Sequence, residues 1–348
     1  MARARVGIIG TGWWATHAHL PSLTSYADAE VIGVADLDGE RARISADAFG
    51  VEHAFSDHKE LLALKPDAVI VVTPHHTHYR LVKDALLAGA DVMVEKPMVL
   101  DPVEARELVK LAASRQLNLH IGYPFPFTRH SQRLRTLIAA GELGEIVLTS
   151  TMFGTIVHDF YQGNTDVFGE IHEGALWAPG TETYSKVEKG GGQLYTQVTH
   201  AASHLFFLTG MKPVTVAAFQ GSRDTEVDEW DAVAFQAEGG AAGTVASTGS
   251  VGRGSPTVEG HTIFGTKGHA QIDIRTGLLD VTLYDGQNFE ELPLAEYERY
   301  PLHATARQLV DTFLGRSPAI ASGELGALTV EFLDAARRSA QRGEMVRM

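Results

Sequence analysis

The sequence predicts an N-terminal α/β domain on a doubly wound parallel sheet, followed by a second α+β domain on a largely antiparallel sheet. Three observations carry this. The 348 residues exceed what one hydrophobic core usually serves, since single domains cluster near ~100–150 residues. From Arg5 to about Gly122, short apolar runs bounded by Gly, Asp or Pro alternate with amphipathic stretches, the pattern of parallel strands joined by helical crossovers. From Ile146 to about Tyr284, Val, Thr and Phe recur at period two in runs such as Val214–Gln220, Ala232–Ala237 and Thr244–Val251. That alternation belongs to an antiparallel sheet with one buried face.

In order along the first domain, strands are expected at Arg5–Ile9, Glu30–Ala35, Ala68–Thr73, Asp91–Glu95 and Asn118–Gly122. Helices are expected at Trp13–Thr24, Gly39–Phe49, Lys59–Leu64, Tyr79–Ala88 and Pro102–Arg115. Runs such as Ala68-Val-Ile-Val-Val72 are apolar on both faces, as strands covered by helices on each side must be. Pro124 and Pro126 interrupt any regular element, so the boundary is placed near Gly122–Thr128, with domains over 1–124 and 125–348. A helix over Arg129–Ala140 stops at Gly141. The last helices, near Ala304–Leu314 and Gly323–Arg342, close the second domain or return to the first.

Composition excludes several functions. The formal charge of -14 repels a phosphate backbone, and no basic stripe offsets it, so no nucleic-acid partner is expected. Zero cysteines exclude disulfides, thiolate metal sites and a cysteine nucleophile, and fit a reducing compartment. No run approaches the ~20 apolar residues of a bilayer span and no cleavable leader precedes the first strand, so the expectation is a cytoplasmic protein with no membrane partner.

The first strand runs into Val6-Gly-Ile-Ile-Gly-Thr-Gly-Trp-Trp-Ala15, with Gly10, Gly12 and Ala15 in a G-x-G-x-x-A pattern that opens a helix. Gly10 permits the tight turn, Gly12 lets the backbone approach a diphosphate, Ala15 allows close helix packing, and the helix N-terminus attracts the anion. Asp36 ends the second strand 24 residues beyond Gly12, where a carboxylate accepts hydrogen bonds from a ribose diol. Its charge opposes a 2′-phosphate and no cation follows until Arg41, which favours NAD over NADP. Thr11 lies within the turn. Trp13 and Trp14 either cover a bound diphosphate or pack beneath it.

Two further places bear chemistry. Thr73-Pro-His-His-Thr-His78 follows the third strand at its carboxyl end, the edge where open parallel sheets bind ligands, so Thr73, Pro74, His75 and His78 are candidates to line the cofactor. The histidine cluster lacks a carboxylate or cysteine at ligand spacing, and no metal is expected. Glu95-Lys96-Pro97 lies at the carboxyl end of another buried strand. A lysine there, partly out of water and near a cationic nicotinamide, has its pKa lowered toward neutrality and becomes usable for proton transfer. The alternative is a lysine that pairs with Glu95 or snorkels.

Together, the glycine turn, Asp36, the Thr73–His78 run and Glu95-Lys96-Pro97 resemble the Gfo/Idh/MocA family, named for glucose-fructose oxidoreductase and inositol 2-dehydrogenase. Gly190-Gly-Gly-Gln-Leu-Tyr-Thr-Gln-Val-Thr-His200 is similar to the family's second-domain motif, a glycine run before an Asp and a His spaced by four. The resemblance implies a Rossmann domain, a second domain on an open antiparallel sheet that supports a homo-oligomer (dimer or tetramer), and NAD(P)-dependent oxidation or reduction of a carbohydrate or polyol. It implies Lys96 as the proton-transferring lysine and His200 as the histidine on the reacting hydroxyl. The chain departs from the pattern at Thr196, where the family commonly has Asp. Thr196 and its neighbour Gln197 hydrogen-bond a sugar without supplying a second acid or base. It departs again at Tyr123-Pro-Phe-Pro-Phe127, where Asn or Arg is frequent, which gives Tyr123 a place in an aromatic pocket wall.

His200 and His204 stand at i, i+4, yet no zincin Glu or local third ligand accompanies them. The 33 residues from Ile156 to Glu188 lack periodicity and hold His158, Asp159, Tyr161, Asn164, Asp166, His172, Trp177, Glu182 and Tyr184. Long irregular segments in compact domains are usually functional, and aromatic faces suit sugars, so Tyr161, Trp177 and Tyr184 are expected substrate contacts. Two other functions fit the same residues: an enzyme that retains NAD and uses transient oxidation for glycoside cleavage or epimerisation, and a non-catalytic NAD-binding protein.

Overall fold

In a computed structural model, described over residues 3–164 and 175–348, the chain forms two compact units. The first comprises Met1–Gly122, Asn164–Thr183 and Leu302–Ala327; the second comprises Tyr123–Gly163, Tyr184–Pro301 and Leu328–Met348. The chain therefore returns to the first unit twice. On the second return, Ala306, Leu309 and Val310 of the helix Ala304–Phe313 join the core built on Val6, Ile8, Ile70 and Met93.

Six strands make the sheet of the first unit: β1 (Ala4–Ile9), β2 (Ala29–Ala35), β3 (Ala54–Phe55), β4 (Ala68–Val71), β5 (Asp91–Val94) and β6 (Leu119–Ile121). All pair in parallel in the order β3-β2-β1-β4-β5-β6, a Rossmann sheet. The order reverses between β1 and β4, and the crevice outside their carboxyl ends is where such sheets take ligands. Strand β3 carries no periodicity in the sequence because it is two residues long. β4 and β5 are buried along their whole length, so apolar side chains on both faces hold them under the helices. Asp38, Asp57 and Asp101 cap the helices Gly39–Phe49, His58–Ala63 and Pro102–Ser114 by accepting their first free N–H groups.

The expected helix over Trp13–Thr24 is instead a π-helical turn, Ala15–His19, followed by the α-helix Leu20–Thr24. Pro21 has no N–H to give the preceding turn, and the ladder widens there.

The second unit carries β7 (Ile146–Gly154), β8 (Pro213–Gly221), β9 (Trp230–Ala237), β10 (Ala242–Thr248), β11 (Val258–Gly265), β12 (Gly268–Asp273), β13 (Leu278–Leu283), β14 (Asn288–Glu290) and β15 (Val346–Arg347). They form one sheet in the order β14-β13-β12-β11-β7-β10-β9-β8-β15, antiparallel except for the parallel pair β7 and β10. Helices Arg129–Ala139 and Thr199–Thr209 pack on one face, over Thr151, Phe153 and Ile263. On the other face the register aligns Met152, Ala246, Ala232 and Phe219 in a row across four strands, with Met152 and Phe219 exposed. Among the described residues no helix is long and apolar enough to cross a membrane.

Candidate active site

In the first unit the predicted cofactor residues gather at the carboxyl ends of β1, β2, β4 and β5. Gly10 has φ 98°, and a Cβ there would collide with the Val72 carbonyl, so only glycine makes the turn. A Cβ on Gly12 would meet nothing within 4 Å, which leaves its backbone open to a ligand. Asp36 is held beside the turn: its Oδ2 accepts from the Thr11 N–H (2.8 Å) and hydroxyl (3.0 Å), and its Oδ1 from the Asp38 N–H (3.0 Å). An approachable backbone at the start of a helical segment, with a fixed carboxylate next to it, suits the diphosphate and ribose of NAD. At the end of β4, the Thr73 hydroxyl pairs with Thr77 at 2.7 Å. His78, expected to line the cofactor, is fully buried; its ring nitrogens lie 2.8 Å from the Thr73 carbonyl oxygen and 2.9 Å from that of Pro97, and the ring N–H donates to one of the two. It ties the β4 loop to the segment after β5. His75 is buried against it, ring to ring at 5.9 Å. Pro74 precedes the short helix His75–Thr77.

Strand β5 runs directly into Glu95 and Lys96, the latter joined to Pro97 by a cis peptide bond. Glu95 Oε1 accepts from Trp14 Nε1 at 2.9 Å and lies 2.9 Å from His19 Nε2. Trp13 stacks edge-on against Trp14 at 5.0 Å. Burial alone would raise the Glu95 carboxyl, but the His19 contact, together with the charge of Lys96, holds it below the usual value. Burial lowers the Lys96 ammonium to about 8, against the opposing attraction of Glu95.

In the second unit, His200 is the second residue of the helix Thr199–Thr209 and is buried. Aromatic rings surround it: Phe125 at 5.6 Å, Tyr123 at 6.1 Å and Phe153 stacked at 6.4 Å. Tyr123 is 1% exposed, and its hydroxyl bonds Thr199 at 2.9 Å, so it is a wall of the histidine rather than an open polar contact. Four residues on, His204 bonds Ser131 at 2.7 Å and His261 at 3.0 Å, and His261 bonds Thr151 at 2.8 Å. Burial keeps the rings of His204 and His261 well below the usual histidine range. Thr196 lies in the π-helical turn Leu194–Val198; its hydroxyl bonds the Gly192 carbonyl and the Tyr161 hydroxyl, both at 2.7 Å.

Residues 4–123 match the sequence profile of an oxidoreductase family with an NAD-binding Rossmann fold, and residues 131–271 match the GFO/IDH/MocA C-terminal domain. The chain belongs to the Gfo/Idh/MocA oxidoreductase family. It is 31% identical over 255 residues to D-glucoside 3-dehydrogenase of Escherichia coli (strain K12), covering 69% of this chain and 66% of that protein. It is 29% identical over 248 residues to a dTDP-3,4-didehydro-2,6-dideoxy-alpha-D-glucose 3-reductase of Saccharopolyspora spinosa, covering 70% of this chain and 67% of that one. The chain thus spans about two thirds of the named relatives it resembles. GenD2 from gentamicin A biosynthesis, solved in complex with NAD, superposes with a TM-score of 0.79 at 25% identity, covering 100% of this chain and 97% of that one.

Within this Gfo/Idh/MocA chain, the long irregular segment divides. Tyr161 is buried, donating to Gln193 at 2.6 Å beside its Thr196 bond. Tyr184 lies 5.5 Å from Phe160 in the same unit. Trp177 belongs to the first unit: its Nε1 donates to Ser45 at 3.2 Å, and the Arg41 guanidinium lies 5.4 Å above its ring. Gln197 stays partly exposed. Asp166 and His172 lie outside the described residues.

Sequence reasoning missed His19, Gln193 and an acid pair, the half-buried Asp228 and the buried Asp231. Gln193 has no signal beyond its place in the glycine-rich motif, yet it joins Tyr161 to Ser247 (2.6 Å). Burial and the neighbouring Asp228 push Asp231 well above the usual carboxyl range. His158, Asp224 and Glu229 have ligand-type atoms within 4.8 Å of one another. Glu229 is already bonded by the N–H groups of Arg223 (3.1 Å) and Asp224 (3.3 Å) and by Ser250 (3.3 Å), the work of a turn anchor.

Proposed function

We propose that this protein is an NAD-dependent dehydrogenase acting on a carbohydrate hydroxyl, specifically a secondary ring hydroxyl at carbon 3 of a hexopyranoside, or on the corresponding ketone. The observation that carries the reading is a desolvated lysine, Lys96, at the carboxyl end of a strand in the same parallel sheet as a glycine turn open to a diphosphate. The ring position is supported by two relatives, one named a glucoside 3-dehydrogenase and the other a 3-reductase of a dideoxyhexose nucleotide.

Gly10, Thr11, Gly12 and Ala15 hold the diphosphate, with Trp13 and Trp14 beside it, and Asp36 takes the ribose diol. Bound NAD supplies the hydride acceptor. NAD is favoured over NADP because the Asp36 carboxylate repels a 2′-phosphate, while Arg41 is engaged by Trp177. Neutral Lys96 accepts the proton of the substrate hydroxyl in oxidation and returns it in reduction. In the second unit, His200 is the hydrogen-bonding histidine that the family motif implies. Gln197 offers its amide to neighbouring hydroxyls, since the Thr196 hydroxyl donates to the Gly192 carbonyl and the Tyr161 hydroxyl to Gln193. We further place the protein in the cytoplasm as a homo-oligomer that covers the open sheet row of Met152 and Phe219.

The test is incubation of the full chain with NAD and a panel of methyl glucopyranosides, free aldoses and inositols, reading NADH absorbance and locating the new carbonyl by NMR. A 3-ketoglycoside with equal NADH is expected; no NADH from any member overturns the reading. Glycoside cleavage or epimerisation without net NADH points instead to retained cofactor and transient oxidation.

A further inference from the structure

Beside the predicted lysine, the first unit carries an arrangement that the proposed reaction does not by itself require. The Glu95 carboxylate is gripped from three directions. Trp14, two residues after Gly12, donates its indole N–H at 2.9 Å, and His19, at the end of the π-helical turn, approaches the same oxygen at 2.9 Å. The Lys96 N–H bonds the other oxygen at 3.2 Å. The fourth side is backbone: a Cβ on Gly122, just past β6, would fall 2.6 Å from Glu95 Oε1, so glycine there lets the carboxylate lie flat against the chain. Trp14 and His19 are 81 and 76 residues from Glu95 in sequence, and both come from the segment that follows the glycine turn.

We propose that Trp14 and His19 are positioning residues that lock the Glu95 carboxylate as a fixed counter-charge to Lys96, so that the segment receiving the cofactor also sets the electrostatic surroundings of the lysine. The inference rests on the reading of Lys96 as the proton-exchanging group. A fixed carboxylate matters because opposite charge stabilises an ammonium only while it stays close and poorly solvated. Released from Trp14, the carboxylate turns toward water and its hold on Lys96 weakens. The other titratable groups of this unit near the cluster are His17, beside the Trp14 ring at 5.7 Å, and His78, within range of Glu95. Burial pushes both toward the neutral form, so Glu95 is the group that opposes the desolvation of Lys96.

Competitive labelling tests this. The full chain is treated with trace acetic anhydride across a pH series, and peptide mapping reads the titration midpoint of Lys96. In E95Q the midpoint is expected to fall by about 1 unit or more, the usual effect of removing an adjacent opposite charge. W14F, which keeps a ring but no N–H, is expected to move it in the same direction by less. In the W14F/E95Q double variant no shift beyond that of E95Q is expected, because Trp14 acts through Glu95. An unchanged midpoint in E95Q, or a W14F shift that persists in the E95Q background, overturns the proposal. Should E95Q not fold, an unchanged midpoint in W14F overturns it alone. The labelling needs no turnover: an inert protein with these shifts would lose the proposed function and keep this inference.

Discussion

The pH dependence of oxidation follows from the surroundings of Lys96. Burial lowers its ammonium from 10.5 to about 8, and the neutral amine is the form that accepts the hydroxyl proton. With a midpoint of about 8, about one molecule in eleven is competent at pH 7 and about ten in eleven at pH 9. The kcat/KM for the glycoside, read from initial NADH formation at saturating NAD, should therefore rise about tenfold between these values and then level off. An unperturbed lysine would give about a hundredfold rise over the same interval with no plateau. A profile inflecting near 10, or one flat from 6 to 9 on any substrate, would refute the assignment of base and environment together. Stability carries the same signature with a worked sign. Between about 8 and 10.5 the unfolded lysine binds more protons than the folded one, so stability rises with pH across that window. Below it, holding the half-buried ammonium charged costs about 3 kcal/mol, and K96M should recover much of this at pH 7 in urea denaturation.

Three other perturbations have expected outcomes. G10A places a Cβ against the Val72 carbonyl at φ 98°; it should destabilise the first unit by about 2 kcal/mol or more and abolish NAD binding, read by thermal denaturation and calorimetric titration. D36N keeps the turn contacts partly satisfied but removes the charge, so NAD affinity should fall about tenfold or more while the preference over NADP narrows; equal affinities in wild type and D36N would contradict the ribose role. Asp231 has a folded pKa raised well above its unfolded value, so its contribution is present at low pH and is lost as pH rises. D231N should accordingly be more stable than wild type at pH 8 and show a smaller difference at pH 4 in urea titrations.

Local chemistry made part of this molecule readable. β4 and β5 announce themselves as apolar runs because parallel strands bury both faces, and Gly10 and Asp36 are recognisable because a tight turn and a strand end restrict which residues can stand there. What escaped was long-range. Nothing within Trp14 or His19 points to Glu95, since the contact exists only after the first and fifth strands are threaded into one sheet. The parallel pairing of β7 with β10 is likewise set by sheet order, which period-two alternation does not encode. His200 and His204 look alike at i, i+4, yet one sits in an aromatic cage and the other in a buried hydrogen-bond chain to His261, a difference made by which strands lie beneath the helix. Trp177 is a further case: in the sequence it is an aromatic residue in an irregular stretch, and its contacts to Ser45 and Arg41 of the first unit emerge only in the fold.

The account depends most on Lys96 exchanging the substrate proton in a chain that binds NAD independently of it. The direct measurement is K96A in the NADH assay, with calorimetric NAD binding on the same preparation. Glycoside oxidation reduced about a hundredfold or more with NAD affinity within a few-fold of wild type is predicted. Undiminished oxidation by K96A, with the carbonyl at the same carbon, would contradict it.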